Sequence, residues 1–113
     1  MSYRLAGFKP WALQRLTGLY IAVFIIIAAV LALSYGWPRD YAQWADLVAR
    51  PDINLALLAL FAALLYHAWV GIRDVILDYV HPAPLRFAAL SIFGTGLIVC
   101  GLWAARMLLL AMA

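Results

Sequence analysis

Long apolar runs decide what this chain can become. They are Leu16–Leu33, Ile53–Ile72 and Phe87–Ala105. Each is close to the ~20 residues that carry a helix across a bilayer core. A helix is also the form that satisfies its own backbone where water is absent. Of 113 residues, 69% are hydrophobic and 12% charged. A chain of this size cannot hide so much apolar surface within itself. The surplus must face lipid or partner subunits. The expected fold is therefore all-α, with transmembrane helices over roughly 13–35, 53–80 and 85–110 in a single membrane domain, residues 1–113.

The first run does not read as a cleaved signal peptide. It exceeds a usual signal core, and "SYGWPRDY" follows it rather than a small-x-small site. Arg4, Lys9 and Arg15 precede it without an acid among them. The loop from Ser34 to Asp52 sets Arg39 and Arg50 against Asp40, Asp46 and Asp52. Positive charge favours the cytoplasmic side, so the N-terminus is expected inside and that loop outside. An odd number of spans then leaves the C-terminus on the periplasmic side. Arg106 opposes this weakly, but near a helix end it can snorkel to the interface. Within the outer loop, Tyr41, Trp44, Ala45 and Val48 fall on one helical face, which predicts a short interfacial helix ended by Pro51. "HPAP", His81–Pro84, breaks the chain between the second and third spans. Gly94 and Gly101 share a face of the third span and would let another helix approach closely.

Net charge is +3, yet the basic residues are few and scattered. No basic stripe suggests nucleic acid. The single cysteine, Cys100, sits in an apolar run with nothing nearby to activate it.

Chemistry concentrates at the end of the second span, in "HAWVGIRDVILDY" from His67 to Tyr79. At about 100° per residue, His67, Gly71, Asp74 and Asp78 form one stripe. His67 lies ~22 Å from Asp52 along the axis, past the middle of a ~30 Å core. Tyr79 is ~18 Å further on, near the cytoplasmic surface. An ionisable group at the depth of His67 needs a reason. One reading is a neutral imidazole hydrogen-bonded to a neighbouring helix. The other is a haem or metal ligand, since neutral imidazole is a good donor to iron. Gly71, one turn away, would make room for a flat macrocycle, or would simply suit helix packing. The chain has only two histidines, His67 and His81. They are ~21 Å apart on a helix, so they cannot grip one iron. A two-histidine haem site would need another chain.

Arg15 opens the first span at a depth close to that of His67 through Arg73. It suits a haem propionate, an acid such as Asp74, or an interfacial anchor. Asp78 and Tyr79 present a carboxylate and a phenol at the cytoplasmic edge. They read as ordinary interfacial residues or as a quinone head-group site, where a phenol donates to a quinone carbonyl.

This segment resembles the signature of the small membrane-anchor subunit of succinate dehydrogenase (complex II), the small cytochrome b subunit. His67, Ala68, Trp69, Gly71, Asp78 and Tyr79 match that pattern, and Arg15 with Thr17 matches an Arg-x-Thr motif that opens the first helix. The resemblance implies an anchor subunit of succinate:quinone oxidoreductase, inactive alone, in the bacterial inner membrane. It implies that His67 is an axial ligand of haem b, shared with a histidine of the larger cytochrome b anchor subunit. It implies that Tyr79 bonds the quinone, Asp78 supports that site, Arg15 lies near the propionates and Gly71 packs by the haem. The FAD and the iron–sulfur clusters would belong to the flavoprotein and iron–sulfur subunits, docked on the cytoplasmic face. The family pattern leaves Arg73–Asp74 without a role. Two other readings stand beside this one: a haem-free structural anchor, and a small proton-transport subunit using His67, Asp74 and Asp78. The outer half of the second span, with only Asn54 at its mouth, counts against the relay.

Overall fold

The computed structural model describes residues 7–113, so Arg4 of the charge argument lies outside the described residues. Four helices and no strand occur among them: α1 (Phe8–Tyr35), α2 (Tyr41–Ala49), α3 (Pro51–Tyr79) and α4 (Ala83–Met112). The three long ones, of 28, 29 and 30 residues, are each long and apolar enough to cross a membrane. All extend past the expected bounds of 13–35, 53–80 and 85–110, except that α3 stops at Tyr79. Hydropathy marks only the part that lies in hydrocarbon, whereas the hydrogen-bond ladder continues through the interface. The longest dimension, 49 Å, accordingly matches a bilayer with its head groups, ~40–45 Å.

Proline punctuates the helix starts. Pro51 stands at the first position of α3 and Pro84 in the first turn of α4, where a missing N–H costs nothing. Pro51 thus opens α3 as well as closing the loop helix. Gly36 follows α1 with φ +83°, the only positive φ among the described residues, and its N–H donates to the Ala32 carbonyl. The predicted loop helix is present as α2. The Asp40 side chain caps it by accepting from the Gln43 N–H at 2.8 Å, while Gln43 Oε1 accepts from the Arg39 N–H at 2.9 Å. At the α3–α4 turn, Arg86 Nε donates to the Val80 carbonyl at 2.9 Å, satisfying a helix end that would otherwise be bare.

α3 is the central helix. It packs against both α1 and α4, while α1 and α4 do not touch each other. α2 lies across the ends of α3 and α4. The spans therefore form a row rather than a closed bundle, and α1 buries no residue at all. The interior is small: Ala63, Val70, Ile76 and Leu108, with the amide of Asn54. The expectation of surplus apolar surface holds, since most large apolar side chains remain exposed.

The Gly94–Gly101 face does what its spacing predicts, and its partner is α3. A Cβ at Gly94 would lie 3.2 Å from the Trp69 ring, and one at Gly101 would lie 2.6 Å from Leu65 Cδ1. The α3–α4 pair is thus close-packed through absent side chains. At the α2 end it is locked by Asn54, which is fully buried. Its Nδ2 donates to the Val48 carbonyl at 3.0 Å and to the Leu108 carbonyl at 2.7 Å, joining α2, α3 and α4. Its Oδ1 has no partner among the described residues, so both useful bonds come from the donor side of the amide. Asn54→Asp keeps the shape but points a carboxylate at two carbonyl oxygens. The expected cost is about 3 kcal/mol, because the donors are lost and a charge is buried. Asn54→Leu, which buries no polar group, is expected to cost less. Thermal midpoints of the purified assembly check the order.

Candidate functional site

His67 sits just past the midpoint of α3, half-buried against α1. Its Nδ1 lies 3.2 Å from the Gln14 carbonyl oxygen and 3.4 Å from Thr17 Oγ1. A carbonyl can only accept, so Nδ1 carries the proton in that bond. The neutral ring then has its lone pair on Nε2, which makes no hydrogen bond among the described residues. The Thr17 hydroxyl also donates to the Gln14 carbonyl, at 3.0 Å. Gly18 lets α1 come this near: a Cβ there would lie 3.3 Å from His67 Cε1. One nitrogen held by a carbonyl and the other left as a free donor is the arrangement typical of ligating histidines.

The structure shows the first of the two readings of His67 directly. The ring is hydrogen-bonded to a neighbouring helix, and that bond leaves Nε2 without a partner among the described residues. No cluster of three potential metal-ligating side chains occurs among the described residues. His81 lies beyond the end of α3, in the turn. Any iron at His67 would thus take its remaining ligands from a macrocycle and from another chain.

Gly71 differs from the packing glycines. A Cβ there would meet only the Gln14 amide, at 3.9 Å, an ordinary contact. The α1–α3 crossing does not need a glycine at this position. Nearby, Pro10, Trp11, Gln14, Val70, Arg73 and Asp74 line a cleft of about 320 Å³ between α1 and α3. Arg73 and Asp74 form an ion pair at 2.8 Å within it, half open to the surroundings, with Nε and Nη2 both donating to Oδ1. An adjacent pair of this kind is internal to α3, and Asp74 makes its ion pair there and not with Arg15. Arg15 instead places its guanidinium 5.7 Å from the centroid of the Trp11 ring. Neither described ion pair includes it.

Asp78 and Tyr79 end α3 and are exposed, Tyr79 by 78%. Neither side chain makes a hydrogen bond among the described residues. The structure does not bring them to His67; the helix axis separates them by ~18 Å. The histidine and the phenol are therefore two places on one helix, each open on a side that this chain does not cover.

Sequence reasoning did not find the Gln14 carbonyl or the role of Gly18. The first is a backbone atom and leaves no residue signal. The second is a signal, a glycine four residues after Gln14 in "QRLTG", but its partner is 49 residues away, a spacing only the fold reveals.

The sequence profile of the family described as succinate dehydrogenase/fumarate reductase transmembrane subunit matches residues 2–105. The chain is similar to the succinate dehydrogenase hydrophobic membrane anchor subunit of Coxiella burnetii, 29% identical over 105 residues, covering 93% of this chain and 90% of that one. It is similar to the subunit of the same name from Rickettsia felis, 35% identical over 82 residues, 72% and 67% of the two chains. A third relative is the succinate dehydrogenase 2 membrane subunit SdhC of Mycobacterium tuberculosis, 30% identical over 94 residues, 80% and 66% of the two chains. Three apolar spans and bacterial relatives fit a multi-pass protein of the bacterial inner membrane. A profile match over nearly the whole chain, together with an open row of membrane helices built around one polar stripe, establishes that this chain belongs to the succinate dehydrogenase/fumarate reductase transmembrane subunits, as a membrane anchor of that enzyme.

Proposed function

We propose that this anchor helps bind haem b and the quinone that accepts electrons from succinate oxidation. The observation that carries the reading is the state of His67: Nδ1 is held by the Gln14 carbonyl while Nε2 is unpartnered. A merely packed histidine deep in a membrane would be expected to satisfy both nitrogens, because each unmade bond there costs free energy. His67 would bind the haem iron through Nε2, together with a histidine of the larger cytochrome b anchor subunit. Gly71 leaves room beside it, and Arg15, which has no carboxylate partner among the described residues, suits a propionate. Haem, when bound, supplies a one-electron carrier within the bilayer. The residues around it hold the ring, exclude water and balance charge.

Tyr79 and Asp78 form this chain's share of the quinone site. The phenol is free to donate to a quinone carbonyl oxygen, and the carboxylate to orient a basic group of a neighbouring subunit. Both lie at the end of α3 expected to face the cytoplasm, where the iron–sulfur and flavoprotein subunits would dock. In this orientation the N-terminus is cytoplasmic and the C-terminus periplasmic. The open row of spans supports an obligate membrane partner, because α3 is left uncovered between α1 and α4. A proton relay along α3 fits less well. Asp74 is engaged by Arg73, and beyond Tyr66 the next polar side chain, Asn54, is locked between two carbonyls.

The test is to purify the assembly through a tag on this chain and record its reduced-minus-oxidised spectrum. A b-type haem signal, with flavin and iron–sulfur subunits co-purifying, is expected; a complex without haem b overturns the reading. The quinone assignment has its own check. Tyr79→Phe removes one hydrogen bond and should lower quinone reduction by about ten-fold, equivalent to roughly 1.4 kcal/mol. Succinate oxidation by an artificial acceptor should be unchanged.

A further inference from the structure

We infer that Thr17 is the positioning residue for His67, setting the ring orientation and the electron-donating strength of Nε2. This rests on the haem reading above and goes a step further, to how α1 tunes the ligand. The Gln14 carbonyl receives donors from both residues: the Thr17 hydroxyl at 3.0 Å and the His67 Nδ1–H at 3.2 Å. Thr17 Oγ1 also lies 3.4 Å from Nδ1. The hydroxyl therefore acts on the imidazole in two ways. It competes for the carbonyl that Nδ1–H uses, and it offers Nδ1–H a second acceptor. Both change how much negative charge the ring carries, and a ring with more negative charge is a stronger iron ligand that favours the ferric state.

Sterics fix the same ring from the other side. Gly18 sits against Cε1 and Nδ1, at 3.3 Å and 3.6 Å from the position a Cβ would take. The imidazole thus lies in a slot on α1 whose walls are Gly18 and Thr17 and whose floor is the Gln14 carbonyl. Rotating the ring to present Nδ1 outward would break the carbonyl bond and leave Nε2 facing α1. The Gln14 carbonyl selects the tautomer protonated on Nδ1, and that tautomer leaves Nε2 without a partner on α1.

The experiment uses the purified, haem-loaded complex. Thr17→Val keeps the shape and removes the hydroxyl; Thr17→Ser keeps the hydroxyl. The expected result for Thr17→Val is wild-type haem content, a shifted haem midpoint potential and a shifted low-spin ferric electron-paramagnetic signal, whose largest g value reports the orientation of the axial rings. Thr17→Ser should return both to wild type. Should Thr17→Val assemble too poorly to measure, Gly18→Ala narrows the same slot from the other side and is expected to move the same signal. A Thr17→Val complex with wild-type potential and signal overturns the proposal, as does a shift that Thr17→Ser fails to reverse. His67→Gln in parallel separates this from the parent reading. Haem lost in His67→Gln with potential and signal unshifted in Thr17→Val rejects only the positioning role; haem retained in His67→Gln rejects His67 as ligand.

Discussion

Substituting His67 by alanine is expected to remove the haem b signal from the purified complex, or to reduce haem occupancy until added haem restores it only weakly. The loss of affinity should exceed ~100-fold, since disturbing only an outer hydrogen bond of a ligand costs about 10–100-fold at metal sites. Alanine also deletes the bond to the Gln14 carbonyl. That bond is worth about 1 kcal/mol, too little to unfold a chain whose α3–α4 packing lies on the opposite side of the helix. Assembly with the catalytic subunits should therefore persist, and succinate oxidation by an artificial acceptor with it. His67→Gln sharpens the result. Its amide can still donate to the Gln14 carbonyl, so any haem lost reflects the missing Nε2 rather than a loosened α1. A spectrum unchanged in both variants would show that the ring is only a packing element.

The residue pattern made the spans legible because lipid imposes a length and a composition at once. The short helix α2 was legible from its one-sided pattern, and the Gly94–Gly101 face from its spacing. What the pattern could not show is which neighbour each face meets. "HAW" contains two residues with opposite orientations: His67 turns to α1 and Trp69 to α4. That division follows from α3 being the middle helix, and nothing in α3 itself says it is the middle one. Asn54 carried a weak signal, a lone amide at the mouth of an apolar run. Its partners are two backbone carbonyls, on α2 and α4, which no side-chain pattern encodes. For Arg15 the pattern left three partners open, and within the chain the fold sets its guanidinium by the Trp11 ring while Asp74 pairs with Arg73. The quinone end, Asp78 and Tyr79, stays an open half-site in the chain's own structure, so the fold adds less there than it does at His67.

Gly94→Leu is expected to damage assembly more than any other single change on α4. The Cβ alone would stand 3.2 Å from Cζ3 and 3.6 Å from Cη2 of the Trp69 ring. That contact is tighter than ordinary packing, and three further carbons would follow it into the ring. A long aliphatic side chain at the Leu65–Gly101 contact can swing aside; a fused indole is rigid and has only two rotatable bonds with which to give way. Separation of the helices then becomes the cheaper response, and it would strain the Asn54 bond to the Leu108 carbonyl, 2.7 Å long at the α2 end. Overpacking of this kind costs about 3 kcal/mol, to which a weakened interhelical hydrogen bond adds about 0.6 kcal/mol in a membrane. The measurable outcome is a sharply lower yield of complex and a lower thermal midpoint. Gly96→Leu is the matched control, with the same residue change two positions along the same helix. Nothing lies within 4 Å of the position a Cβ would take at Gly96, so the chain's own packing should tolerate it. Gly101→Ala falls between them, because Leu65 Cδ1 is the mobile tip of a flexible side chain that can rotate away. The predicted order of stability is therefore Gly96→Leu, then Gly101→Ala, then Gly94→Leu. Any other order would mean that α3 and α4 are not held together by these two glycine contacts.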